Sequence, residues 1–411
     1  MKLRHGLHLT YCTNVHRGET WAETFAALQT HTLAVRERVA SRAPFGIGLR
    51  LSARAARELE DGQTRRAFQR WLETHDAYVF TLNGFPYGPF HGAPVKEAVY
   101  RPDWTAPERL DYTKRLCNLL AELLPPDADG SVSTLPGSFK AFAPDAAAQR
   151  RIRDHLWQCV EHLARLSERT GRRLWLALEP EPLCLLETSL ETVAFYERLH
   201  DEHPNDARLN EYLRVCYDTC HFAVEFESPA EVLKRFRAHG VRLGKIQLSN
   251  ALQLRPTPQA RTALGGFADA VYLHQVIARR ADGSLVRYRD LPEALAAGPD
   301  ENLPTDLAFS PTVSSGKASA ETPNGDVEWR VHFHVPLHHP PTANFGNTAA
   351  HLEGVLDALK ADPTLCAHLE IETYTWDVLP PDLKAADVTD QIVAEYEWAL
   401  ARLRQRGLAS E

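Results

Sequence analysis

The chain has 411 residues, 44% of them hydrophobic and 24% charged, with a formal net charge of −8. That composition supports a full buried core and excludes an intrinsically disordered chain. The acidic balance argues against a nucleic-acid or anionic-membrane binder and for a small-molecule partner. No run approaches the roughly 18 apolar residues of a membrane span. The N-terminal residues enter a strand pattern with no secretory apolar core, so the expected compartment is the cytoplasm. Seven cysteines without a CxxC pair argue against structural zinc or a disulfide framework.

His5 to Cys12 predicts a first strand, followed by a helix carrying Trp21, Phe25, Leu28 and Leu33. Phe45 to Leu51 predicts the second strand, before one charged amphipathic helix over 53–74. Ala77 to Leu82, the third, runs into Asn83 to Gly92, a stretch of turn formers and aromatics expected to fold over a barrel mouth. A helix from Pro107 to Leu124 precedes a short fourth strand within Ser131 to Phe139. Asp145 to Thr170 predicts a long helix closed by Gly171. Arg173 to Glu181, Leu213 to Asp218, Val241 to Ser249 and His368 to Glu372 supply strands five to eight. Eight alternating strand and helix units predict an α/β fold, the closed (β/α)8 TIM barrel.

Residues 252–345 exceed what one connection needs. Two period-2 runs, Tyr272 to Arg279 and Leu285 to Tyr288, flank Asp282-Gly283, a hairpin signal. A polar stretch from Ala297 to Asp326, expected to be mobile, leads to a further strand, Trp329 to Leu337, with His332 and His334 on one face. The expectation is a single barrel over 1–411, with an antiparallel insertion over 252–345 between strands seven and eight, on the catalytic face.

Three barrel strands end in a carboxylate: Glu179, Asp218 and Glu372. In a parallel barrel the carboxyl ends of the strands open to ligand, so these acids converge there. Together with Gln247 they form an oxygen-rich set suited to a hard divalent ion such as Mn²⁺ or Mg²⁺. Without a cation the acids would repel one another and one would take up a proton.

LALEPEP, YDTCHFAVE, GKIQLSN and HLEIETY resemble the metal-binding strand ends of the xylose isomerase-like barrels, which include sugar-phosphate isomerases and epimerases and endonuclease IV. In that group a Glu ends strand five, an Asp followed three residues later by a His ends strand six, a His ends strand seven and a Glu ends strand eight. Glu179, Asp218 with His221, and Glu372 match this pattern, whereas strand seven offers Gln247. His334, in an FHVP context similar to the strand-seven histidine of the epimerases, is the candidate substitute. His332, His338 and His339 read as ordinary core or surface histidines.

YCTNVHRGETW, NGFPYG, SVSTLPGSF, VHFHVP and ETYTWDVLP look more narrowly like the metabolite traffic protein E family of the ebo gene cluster. The resemblance implies a metal-dependent isomerase or epimerase acting on a sugar, cyclitol or related polyol, with other ebo-cluster proteins as partners. It implies Mn²⁺ or Mg²⁺ as cofactor, with Zn²⁺ the alternative. Glu179 and Glu372 would move the proton, and His221 would bind a substrate hydroxyl or hold Asp218. Asn14, His16 and His91 would contact the polyol, with Trp21, Phe85, Tyr87 and Trp376 as apolar walls. The competing readings are a non-catalytic metabolite-binding barrel and an endonuclease IV-like phosphodiester hydrolase.

Overall fold

Eight short strands pair in parallel in the computed structural model, which describes residues 1–92, 94–297, 326–385 and 387–410. They are β1 (His8–Tyr11), β2 (Phe45–Arg50), β3 (Ala77–Asn83), β4 (Gly130–Thr134), β5 (Leu174–Leu178), β6 (Leu213–Asp218), β7 (Leu243–Leu248) and β13 (His368–Ile371). Their order around the sheet is β1-β13-β7-β6-β5-β4-β3-β2. A parallel bridge between Cys12 and Gly48 brings the two edges together, and Thr10 Oγ1 reinforces it by accepting from Gly48 N at 2.8 Å and donating to Gly46 O at 2.9 Å. The chain is therefore an α/β barrel of eight strands. Most of these strands are buried along their whole length, as expected where helices cover one face and the barrel interior the other.

Local chemistry sets the helix limits. Asp145 accepts from Ala148 N to start the helix Ala146–Thr170, and Gly171, at φ 69°, closes it. The single helix expected over 53–74 is two, Ala53–Leu59 and Gly62–Thr74. Asp61 accepts from the N–H groups of Gln63 and Thr64 and begins a second helix there. The first strand is shorter than its apolar pattern, because Arg4–Gly6 forms a 3-10 turn with His5 at φ 58°.

The inserted sheet comprises β8 (Asn250–Leu254), β9 (Val276–Arg280), β10 (Leu285–Tyr288), β11 (Asp326–Val335) and β12 (Gly346–Asn347), in the order β10-β9-β11-β8-β12. Its pairs are antiparallel. The sheet thus begins two residues before and ends two residues after the expected 252–345, because β7 passes into β8 through Ser249 alone. Leu252, Val276, Trp329, Val331 and Phe333 give it a core of its own. Arg287 clasps it to the barrel through ion pairs with Glu187, at 2.6 Å, and with Glu225. Within the polar stretch expected to be mobile, residues 298–325 lie outside the described residues.

Candidate metal centre

The acids at the strand ends arrive with different local support. Asp218, the last residue of β6, caps the helix Thr219–Val224. Its Oδ1 accepts from Cys220 N at 2.7 Å, His221 N at 3.1 Å and Ser249 Oγ at 2.5 Å. Three donors on one oxygen leave Oδ2 buried without a partner, 3.7 Å from His221 Nε2. Glu179 and Glu181 follow β5, and Glu372 follows β13, where its Oε1 accepts from Asn14 Nδ2 at 2.7 Å. All four acids are buried.

β11 brings two histidines to the same place. Its pairing with β8 shifts between Val331 and His334, a bulge of the kind that re-aims side chains beside sites. Each ring near the acids has its Nδ1 committed. His221 Nδ1 lies 2.9 Å from Pro180 O, and His334 Nδ1 lies 2.8 Å from Glu372 O. Backbone carbonyls only accept, so both Nδ1 atoms carry a proton; burial keeps His334 neutral with a lone pair on Nε2, whereas, against burial, Asp218, Glu181 and Glu179 favour a second proton on His221. His334 Nε2 is buried with no partner.

Single ligand atoms of Glu179, Asp218 and Glu372 lie within 4.8 Å of one another, as do those of Asp218, His221 and His334, of Glu181, His221 and His332, and of Cys220, His332 and His334. The electrostatics match that crowding. Burial, with the neighbouring acids, pushes Glu372 well above the usual carboxylate range. Burial also raises Glu179 to about 8, against the pull of His221. Asp218 is driven up by burial but held below its ordinary value by His221, His334 and the Ser249 hydrogen bond. Burial raises the Cys220 thiol, as do nearby Asp218 and Glu372, so it stays protonated. Crowded buried carboxylates beside unpartnered oxygen and nitrogen lone pairs are the donor set a divalent cation fits.

Of the residues singled out in the sequence, Glu179, Asp218, Glu372, His221 and His334 meet here, and Asn14 joins them through Glu372. Gln247 is fully buried nearby. Its amide donates to Asn83 Oδ1 at 3.3 Å and its Oε1 has no partner. Asn83 also accepts from Lys245, which pairs with Glu370 inside the barrel.

The other expected contacts stand elsewhere. His16 stacks on His31 at 4.6 Å and meets Tyr11 OH at 2.9 Å. Trp21 packs on Phe25 and Phe68, in the layer between helices and barrel. Tyr87 lies edge-on to Tyr112, and Trp376 packs between the two cores under Lys384. His91 bridges the mouth loop and the insertion, through Asn14 O and Tyr272 OH at 2.6 Å each. None of these five lines the cavity. Their aromatic or imidazole character suggested a wall, but each is satisfied by packing or by a neighbouring partner.

Above the acids lies a cavity of about 660 Å³ of non-protein space, part of it open to solvent. Phe85, Pro86 and Phe90 of the mouth loop form one wall, Tyr272 and Leu273 of the insertion another, and Tyr374 sits beside His334 at 4.7 Å. Sequence reasoning missed His332 and Glu181, which reach the same cavity. The HFH alternation in β11 and the second acid of LEPEP were the available signals.

No family model matches the chain and no curated protein matches it. Among solved structures it is similar to the IolI protein with a bound zinc atom, at 12% identity over 97% of this chain and 98% of that one, TM-score 0.48. It is also similar to the probable 3-DHS dehydratase AsbF of petrobactin synthesis from Bacillus anthracis, at 11% identity over 97% and 98%, TM-score 0.44. A third is a xylose isomerase domain protein from Alicyclobacillus acidocaldarius, at 12% identity over 59% and 74%, TM-score 0.36. The barrel assignment stands on the chain's own eight parallel strands.

Proposed function

We propose that the chain is a metal-dependent isomerase or epimerase acting on a sugar, cyclitol or related polyol, in an ebo-type metabolite pathway. The observation that carries this reading is that Asp218 joins two groups of close ligand atoms, one with Glu179 and Glu372 and one with His221 and His334, and that Asp218 Oδ2 and His334 Nε2 are buried without partners. In it β11 supplies the imidazole that strand seven lacks. One nitrogen donor among carboxylates suits Mn²⁺ or Zn²⁺ better than Mg²⁺. A divalent ion held there would polarise a hydroxyl and a neighbouring carbonyl of the substrate, making the C–H between them more acidic.

The protein's own groups then have distinct tasks. Glu179 and Glu372 would stand on opposite sides of the reacting carbon, one taking the proton and the other returning it. Asn14 orients Glu372 through its amide and leaves a buried Oδ1 free to accept from a substrate hydroxyl. His221 holds the Asp218 side of the site, its ring fixed by Pro180 O. Phe85, Phe90 and Tyr374 exclude water from the reacting carbon.

Elemental analysis of the purified protein and of Glu372→Gln tests the reading, alongside a screen of sugars and cyclitols for isomerisation. The expected result is divalent metal bound at the acids that is lost from that site in a folded variant, with turnover lost as well. A protein that takes up no metal from Mn²⁺ or Zn²⁺ solutions overturns it.

A further inference from the structure

We infer that the same cavity holds a second divalent transition-metal ion, ligated by Glu181, His221 and His332. The inference goes beyond the proposed reaction and rests on it only for the division of ligands between two ions.

The hydrogen bonds around these three side chains fix which atom of each is left to face the cavity. Pro182 O can only accept, so the group facing it at 3.2 Å is the Gln275 amide nitrogen, which also donates to Tyr100 OH at 2.9 Å. Gln275 Oε1 therefore faces His332 Nδ1, at 2.8 Å, and that nitrogen carries the ring proton. Tyr100, already accepting from Gln275, donates to Glu181 Oε1 at 2.6 Å, so Glu181 is an acceptor. His221 Nδ1 is spent on Pro180 O.

The consequence is that His221 Nε2 and His332 Nε2 face each other at 3.1 Å with the Nδ1 proton of each ring already spent elsewhere. Two bare nitrogen lone pairs at that distance repel, so the gap holds either a proton shared between the rings or a metal ion that takes its place. At metal–nitrogen bonds of about 2.0–2.1 Å, a 3.1 Å separation corresponds to roughly 95–100° at the ion, an ordinary angle for neighbouring ligands. Glu181 completes a set whose ligand atoms all lie within 4.8 Å of one another. Two imidazoles and one carboxylate suit Zn²⁺ or a neighbouring first-row ion and leave further positions for water or substrate.

One ion cannot use all seven side chains, and the division follows from the groups. Glu179, Asp218, His334 and Glu372 serve the first ion, and Glu181, His221 and His332 the second. Each ion takes one histidine from β11. Gln275 and Tyr100 are positioning residues, since they act on the second ion only through the ligands they orient.

The test is metal stoichiometry, by elemental analysis after equilibration with Zn²⁺ and removal of free ion, on the full chain, His332→Gln and Glu372→Gln. Two ions per chain in the parent and one in each folded variant are expected. Tyr100→Phe keeps the ligands and is the second variant, should His332→Gln fail to fold. It should weaken the second zinc-binding step by about 10–100-fold in a calorimetric titration and leave the first unchanged. One ion in the parent that survives His332→Gln overturns the second site, leaves the first standing and assigns the space between the rings to a proton. Loss of both ions in a folded His332→Gln overturns the division of ligands. No ion in any of the three overturns both sites.

Discussion

At Gly48 a single missing methyl makes room for a charge inside the barrel. A Cβ there would come within 1.7 Å of Glu370 Oε1, so the residue opposite the Lys245–Glu370 pair has to be glycine. Gly48→Ala should displace that fully buried pair and cost about 3–5 kcal/mol, read as a lowered urea midpoint. Glu395 offers a test at another buried carboxyl. Its Oε1 accepts from Thr373 Oγ1 at 2.5 Å and Leu337 N at 3.0 Å, and burial raises its pKa to about 7. A folded pKa above the unfolded value means stability is fully present below about 4.5 and is lost as pH rises toward 7. Glu395→Gln should flatten that slope, stabilising at pH 8 by on the order of 2 kcal/mol with little change at pH 4, measured by chemical denaturation at both values. Single residues were unevenly legible: an acid closing an apolar strand announces itself, whereas Trp21 and Tyr87 looked like cavity walls because an aromatic side chain reads the same in a core and in a site.

Among the elements, β11 carries the most consequence. It supplies His332 and His334 to the cavity, yet it belongs to the inserted sheet, which Arg287 ties by ion pairs to the barrel. Arg287→Leu should leave Glu225 buried without its cation, lower the thermal midpoint by several degrees and weaken zinc binding, because the clasped sheet delivers the histidines. Unchanged zinc affinity with lowered stability would show that the clasp serves folding alone. The insertion's hairpin was readable from Asp282-Gly283 between alternating runs. Its start in β8 was not, since the passage from β7 through Ser249 has no glycine or proline turn to mark where the chain leaves one sheet for another.

Over the whole molecule, the cavity acids tie metal content to stability. A bound ion relieves the repulsion among Glu179, Asp218 and Glu372, so removal by a chelator should lower the melting temperature, and excess Mn²⁺ or Zn²⁺ should restore it. An ion supplied at a hundred times its dissociation constant contributes about 2.7 kcal/mol, and a calorimetric scan with and without chelator reads the difference. Among the described residues no helix is long and apolar enough to cross a membrane. The eight-strand count, the three strand-end carboxylates and the histidine three residues after Asp218 were fixed by local pattern, because strand alternation and helix capping act over a few neighbours. Tertiary structure alone added His332 and Glu181 to that set and decided which ring nitrogens are spent on backbone carbonyls. It also decided which aromatics enclose the cavity, because these depend on hydrogen bonds and packing between residues as far apart as His221 and His332, which no spacing in the chain encodes.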